Sequence, residues 1–172
     1  MTADGGRQNQ LEQYRPETSG PAAVRRLRAY IDIDGTILYE PDDGTTCHDD
    51  LDFQLVCEGL AEFLEFVVRH CEPYWLSYRT RLGTLRHLED RLYRHLPEIA
   101  RVIPAAHWKG FKHEGVAPEA PFVWFDDDLE PEDVAWLMSN NHLGAHVQMD
   151  ATNRGNPRLM IREVQSRMQS AI

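Results

Sequence analysis

The sequence predicts an α/β fold: a Rossmann-like, doubly wound parallel sheet of about five strands, with helices between them and no cap domain. Two observations point there. Short apolar runs alternate along the chain with stretches whose apolar residues recur at helical spacing, the pattern of repeated strand-helix units. Two of those runs also end in clustered carboxylates, Asp32 and Asp34 after the first and Asp126-Asp127-Asp128 after a later one. Open parallel sheets place their sites at that end of the strands.

At 172 residues and 42% apolar content, the chain suits one domain with a sizeable core. Residues 1–24 carry Leu11 and Tyr14 as their large apolar side chains, too few to bury, and read as a mobile tail ahead of a single domain at 25–172. No stretch resembles a secretory leader or a membrane span. Cys47, Cys57 and Cys71 form no C-x-x-C pair and read as reduced thiols, which fits a cytoplasmic setting.

The first strand comprises Leu27 to Ile33. Leu27, Ala29, Tyr30, Ile31 and Ile33 surround Asp32 and Asp34, and an ionised carboxylate taken out of water costs several kcal/mol unless something compensates it. Both acids therefore belong at the carboxyl end of a central strand, facing a cation. Gly35 lets the chain leave sharply, and Thr36 offers a hydroxyl and a backbone N–H. An Asp-Gly turn is the plainer alternative. A calcium loop is excluded, because Ile37 stands where that loop needs glycine.

Tyr39 to about Leu51 is polar and reads as a flap, either loop or hairpin. Asp49, Asp50 and Asp52 then offer helix caps, and Phe53, Val56, Leu60, Phe63, Leu64 and Val67 predict a helix reaching Arg69. Pro73 to Leu76 forms the second strand, and Leu82, Leu85, Leu88, Leu92 and Leu96 a second helix that Pro97 closes. Val102-Ile103 gives a short third strand, and Trp108 to Lys112 a loop. Phe122 to Phe125 is the fourth strand, and Pro131 opens a helix to Asn140. Ala145 to Gln148 is the fifth strand, followed by a closing helix from Pro157 to Ser170.

The run Asp32-Ile33-Asp34-Gly35-Thr36 resembles the first motif of the haloacid dehalogenase-like (HAD) superfamily, and further motifs of that family have counterparts in order. Ser77, after the second strand, resembles the Ser or Thr that binds a phosphoryl oxygen. Lys109 resembles the charge-neutralising lysine, with Lys112 as the alternative. Asp126 and Asp127 resemble the acidic pair of the metal site, although helix capping ahead of Pro131 also explains acids there. The resemblance implies Asp32 as nucleophile, Asp34 as acid/base, and magnesium held by Asp32, Asp34, Asp126 and Asp127. Gly35, Thr36, Tyr78 and Arg79 fall to the substrate, with Arg79 at the rim of the site.

An Asp two residues after the nucleophile is similar to the phosphatases and phosphomutases of that family rather than its dehalogenases. The expected activity is therefore phosphomonoester hydrolysis through an aspartyl phosphate. The alternatives are a non-catalytic phosphate- or protein-binding module and a phosphotransferase. Neither insertion point, 39–51 or 113–121, can form a cap domain, so the site should be open to an accessible or macromolecular phosphate, such as a nucleotide or a nucleic-acid end. Net charge −10 opposes non-specific binding of polyanions, although Arg79 to Lys112 carries a local +5, eight Arg/Lys against Glu89, Asp90 and Glu98.

Overall fold

The structure, a computed structural model, describes residues 26–39, 55–84, 96–149 and 156–170. The expected tail, the flap beyond Tyr39, the body of the second helix (85–95) and Cys47 lie outside the described residues.

Four strands form one all-parallel sheet: β1 (Arg28–Ile31), β4 (Glu72–Trp75), β5 (Phe122–Asp126) and β6 (His146–Gln148), in the order β4-β1-β5-β6. The first strand lies inside the sheet, flanked by the strand that follows it in the sheet on one side and by β5 on the other. The connection therefore reverses direction across β1, and a crevice opens between the carboxyl ends of β1 and β5, where ligands bind in sheets of this kind.

The arrangement is compatible with a Rossmann-like fold, with a correction at the third strand. Glu98–Val102 is a 3-10 turn rather than strand. The chain reaches the sheet edge slightly later: Ala105 makes a single parallel bridge to Trp75, with Trp75 N–H donating to Pro104 O (2.9 Å) and Ala106 N–H to Trp75 O (2.8 Å). Pro104 has no N–H to give, so the pairing cannot extend back from this rung.

The two inner strands are buried on both faces, so Ala29–Ile31 of β1 and Phe122–Phe125 of β5 are apolar without alternation. Ala29, Ile31, Val123 and Phe125 face a core shared with helices α1 (Leu60–His70) and α3 (Pro157–Ser170). Tyr30, Phe122 and Trp124 face a second core with Trp108 and with Leu137 of α2 (Pro131–Ser139). α1 buries Leu60, Phe63, Leu64 and Val67, a single stripe at helical spacing.

The first helix starts later than the sequence pattern predicts. Leu55–Val56 forms strand β3, antiparallel to β2 (Leu38–Tyr39) in a separate two-stranded ribbon. Gly59, at φ +83°, turns the chain into α1. Few residues other than glycine adopt that conformation, so the helix cannot continue backwards to Phe53. Tyr78–Gly83 is likewise a 3-10 segment, interrupted at Leu82 with φ +70°. The helices at Pro131–Ser139 and Pro157–Ser170 match their expected bounds closely. Among the described residues no helix is long and apolar enough to cross a membrane, and Cys57 and Cys71 are buried free thiols.

Candidate functional site

Asp32 lies one residue past β1, its N–H donating to Phe125 O of the neighbouring strand (2.9 Å). That bond fixes its backbone against β5 and leaves the carboxylate at the crevice, 3% exposed. The chain then folds back on itself: the Ile37 and Leu38 N–H groups both donate to Ile33 O (3.0 and 2.9 Å), and the Gly35 N–H to Leu38 O (2.6 Å). Thr36 is buried inside this turn, and its hydroxyl has no partner among the described residues.

Gly35 sits at φ +71°, and a Cβ built on it would lie 1.8 Å from Asp127 Oδ2. The missing side chain is thus what admits the Asp127 carboxylate beside the first-strand turn. Asp126, at the end of β5, is wholly buried. Its Oδ1 accepts the Asp128 N–H (3.1 Å), and its Oδ2 accepts Trp124 Nε1–H (3.0 Å) and the Lys112 ammonium (2.8 Å).

Lys112, only 3% exposed, also lies 3.3 Å from Asp32 Oδ1. It bridges the acids at the carboxyl ends of the neighbouring strands β1 and β5. Of the two candidate lysines, Lys112 is the one against these acids, whereas Lys109 is on the surface, its N–H donating to Glu114 Oε2 (3.1 Å) and its carbonyl accepting from Arg81. The 3-10 turn Lys112–Gly115 swings the later lysine inward.

Ser77, which follows β4, is buried, and its side chain lies close enough to Asp32 to favour the ionised carboxylate. Its N–H donates to Thr80 Oγ1 (2.9 Å), which holds the turn closed. Arg79 departs from its expected place at a free rim: its Nε–H donates to Asp34 Oδ2 (2.6 Å) and its Nη2 to Oδ1, a two-pronged pair with the arginine side chain 16% exposed. Tyr78 stands half out of the protein beside Lys112.

Oxygens of Asp32, Asp126 and Asp127 all lie within 4.8 Å of one another. Burial, together with the Asp126 charge, pushes the Asp32 carboxyl well above the usual range against the pull of Lys112. Burial likewise raises Asp126, to about 6, with Lys112 again opposing, and Asp127 in direction. Burial alone would lower Lys112, but the Asp32 and Asp126 charges outweigh it and hold the ammonium protonated.

With Asp34 included, four carboxylates face two cations, Lys112 and Arg79. With all four ionised, the residual two negative charges equal the charge of one divalent cation, and an all-oxygen donor set suits a hard one. The residues present therefore fit a divalent metal.

The structure brings together Asp32, Asp34, Gly35, Ser77, Arg79, Asp126 and Asp127 from the sequence expectation, substitutes Lys112 for Lys109, and places Thr36 in the turn behind them. The sequence reading did not anticipate Trp124 and Asp128, which fix Asp126, or Glu130, which accepts the Tyr78 hydroxyl (2.8 Å). A cleft of about 490 Å³ lined by Leu27, Phe122, His142 and Arg167 lies by contrast at the amino ends of β1 and β5, away from these groups. Compared with known proteins, the chain matches no family model, no curated protein and no solved structure.

Proposed function

We propose that this protein is a magnesium-dependent phosphomonoester hydrolase of the haloacid dehalogenase-like type, with Asp32 as its nucleophile. One observation carries the reading: buried Asp32 shares the Lys112 ammonium with Asp126, while Asp127 closes the oxygen cluster at the switch point of a parallel sheet. Structural ion pairs do not ordinarily gather further carboxylates around two that are already buried, since each added charge raises the cost of the others. A site that handles an anion and a metal does.

In this reading an Asp32 oxygen attacks phosphorus as the bond to the leaving alcohol breaks, giving an aspartyl phosphate. Asp34 gives its proton to the departing oxygen. Water then attacks the phosphoryl group, Asp34 takes a proton from it, and orthophosphate leaves with Asp32 restored. Lys112 lies where it can neutralise charge between nucleophile and phosphate, and the Ser77 hydroxyl where it can hold a phosphoryl oxygen. Asp126 keeps Lys112 in place. Asp32, Asp127 and the Asp34 carbonyl, with Asp126 behind them, would hold magnesium, which would supply the positive charge that lets one anion approach another.

The Arg79 pair bears on this sequence of steps. Both Asp34 oxygens accept N–H donors from Arg79, which is the arrangement of a base. Acting as an acid requires one oxygen to leave the fork, so the pair has to loosen once per turnover.

The test is phosphate release from a small ester with and without magnesium, in the wild type and in Asp32→Asn. Magnesium-dependent release that disappears in the variant, with folding retained, supports the reading. The absence of release by the wild type across nucleotide, sugar and aryl phosphates favours instead a binding module that uses the same groups without turnover.

A further inference from the structure

We propose that Tyr78 is a stacking platform for the base of a nucleoside monophosphate whose phosphate sits at Asp32 and Lys112. The inference rests on the phosphate-ester reading above and names the leaving group.

Tyr78 is 51% exposed, yet three contacts fix its ring. The hydroxyl donates to Glu130 Oε1 (2.8 Å), on the segment that leads from the β5 acids into α2. The ring meets buried Trp108 edge to face, with centroids 5.1 Å apart and planes at 77°. The Lys112 ammonium lies 5.3 Å from its centroid. That same ammonium touches Asp32 and Asp126 at 3.3 and 2.8 Å. The exposed part of the ring is therefore one side chain away from the reacting carboxylate, and immediately follows Ser77 in the chain.

An aromatic ring held still beside a phosphate site offers contact area without the entropy of ordering it on binding. Its hydroxyl is already committed to Glu130 and the Lys112 ammonium lies over the ring, so the part of the ring that remains exposed is what it has to offer. Every nucleobase presents a flat π surface, and stacking on an aromatic side chain is a standard way to hold one. Spacing selects the base over a simpler aryl group. In an aryl phosphate the ring is bonded directly to the ester oxygen and would lie over the carboxylates. In a nucleotide the sugar intervenes and carries the base past Lys112 to Tyr78. Charge selects the mononucleotide over a long strand, because a chain of net −10 repels a run of phosphates.

The alternative role is purely local: the ring shields the Lys112 ammonium from water. The two roles separate in a titration of the full chain carrying Asp32→Asn, in magnesium, with adenosine 5′-monophosphate, ribose 5-phosphate and phenyl phosphate as calorimetric ligands. The nucleotide should bind at least about tenfold more tightly than ribose 5-phosphate, as base stacking of ordinary strength requires. That preference should vanish with Tyr78→Ala and persist with Tyr78→Phe, which keeps the ring and loses only the Glu130 bond. Equal binding of nucleotide and sugar phosphate overturns the platform while leaving the phosphate site intact. A preference that survives Tyr78→Ala, or one matched by phenyl phosphate, also overturns it. Failure of all three ligands to bind this variant, together with failure of the wild type to hydrolyse them, removes the phosphate-ester reading itself, and the platform with it.

Discussion

The Lys112 ammonium sits 2.8 Å from Asp126 Oδ2 and 3.3 Å from Asp32 Oδ1, with all three side chains at most 5% exposed. One buried cation thus holds two buried anions on neighbouring strands, and removing it leaves both without compensation. Breaking a buried pair from one side costs about 3–5 kcal/mol, far more than an intact pair contributes. Lys112→Met should therefore lower unfolding stability by a few kcal/mol in urea without metal. Lys109→Ala, at an exposed ammonium, should stay within about 0.5 kcal/mol. Equal effects would mean that Lys112 does not carry the cluster.

Acidity should move stability in a defined direction. Asp126 titrates near 6 when folded, against an ordinary 3.8. Because the folded value is raised, its contribution to stability is complete below pH 3.8 and is lost as pH rises through 6. In EDTA, the stability of the wild type relative to Asp126→Asn should fall between about pH 4 and 7, by up to roughly 3 kcal/mol. Saturating magnesium should flatten or reverse that slope, since it favours the ionised carboxylates and binds the native state. A Tm unmoved by millimolar magnesium at pH 7 counts against an assembled metal site.

At Gly35 the obstacle is both steric and conformational. A methyl group there meets Asp127 Oδ2, and φ +71° disfavours any side chain. Gly35→Ala should cost about 1–3 kcal/mol and should weaken magnesium binding by displacing Asp127. Calorimetry that shows lost stability with unchanged magnesium affinity would remove Asp127 from the metal site.

Arg79 holds Asp34 through two donors, so its loss should act on the chemical step. Arg79→Ala should lower kcat for small and large phosphate esters alike, and Arg79→Lys should not restore it, because an ammonium cannot reproduce the fork. A change confined to KM for larger substrates would return Arg79 to the rim that the sequence reading gave it.

What the sequence made legible was local. The apolar run into Asp32-Ile33-Asp34-Gly35 and the run Phe122 to Phe125 into Asp126 each state strand, exit and charge within a few residues, and the structure sets them side by side as β1 and β5. The start of α1 is not legible in the apolar pattern because Val56 fits both a helical stripe and a paired strand; Gly59, at φ +83°, is the local signal that separates them. The lysine could not be chosen locally. Lys109 and Lys112 share one short loop, and only the 3-10 turn that packs under Tyr78 decides which is buried. Arg79 was placed correctly along the chain, but its partner Asp34 lies 45 residues away, and a pairing across that separation has no local trace.

The central claim is covalent chemistry at Asp32, and the most direct measurement is acid quenching of the wild type during turnover of a phosphate ester with magnesium, followed by peptide mass spectrometry. One added phosphoryl group is expected on the peptide containing Asp32, labile in mild base and absent in Asp32→Asn. Steady turnover with Asp32 never labelled, or a label carried by another residue, would contradict it.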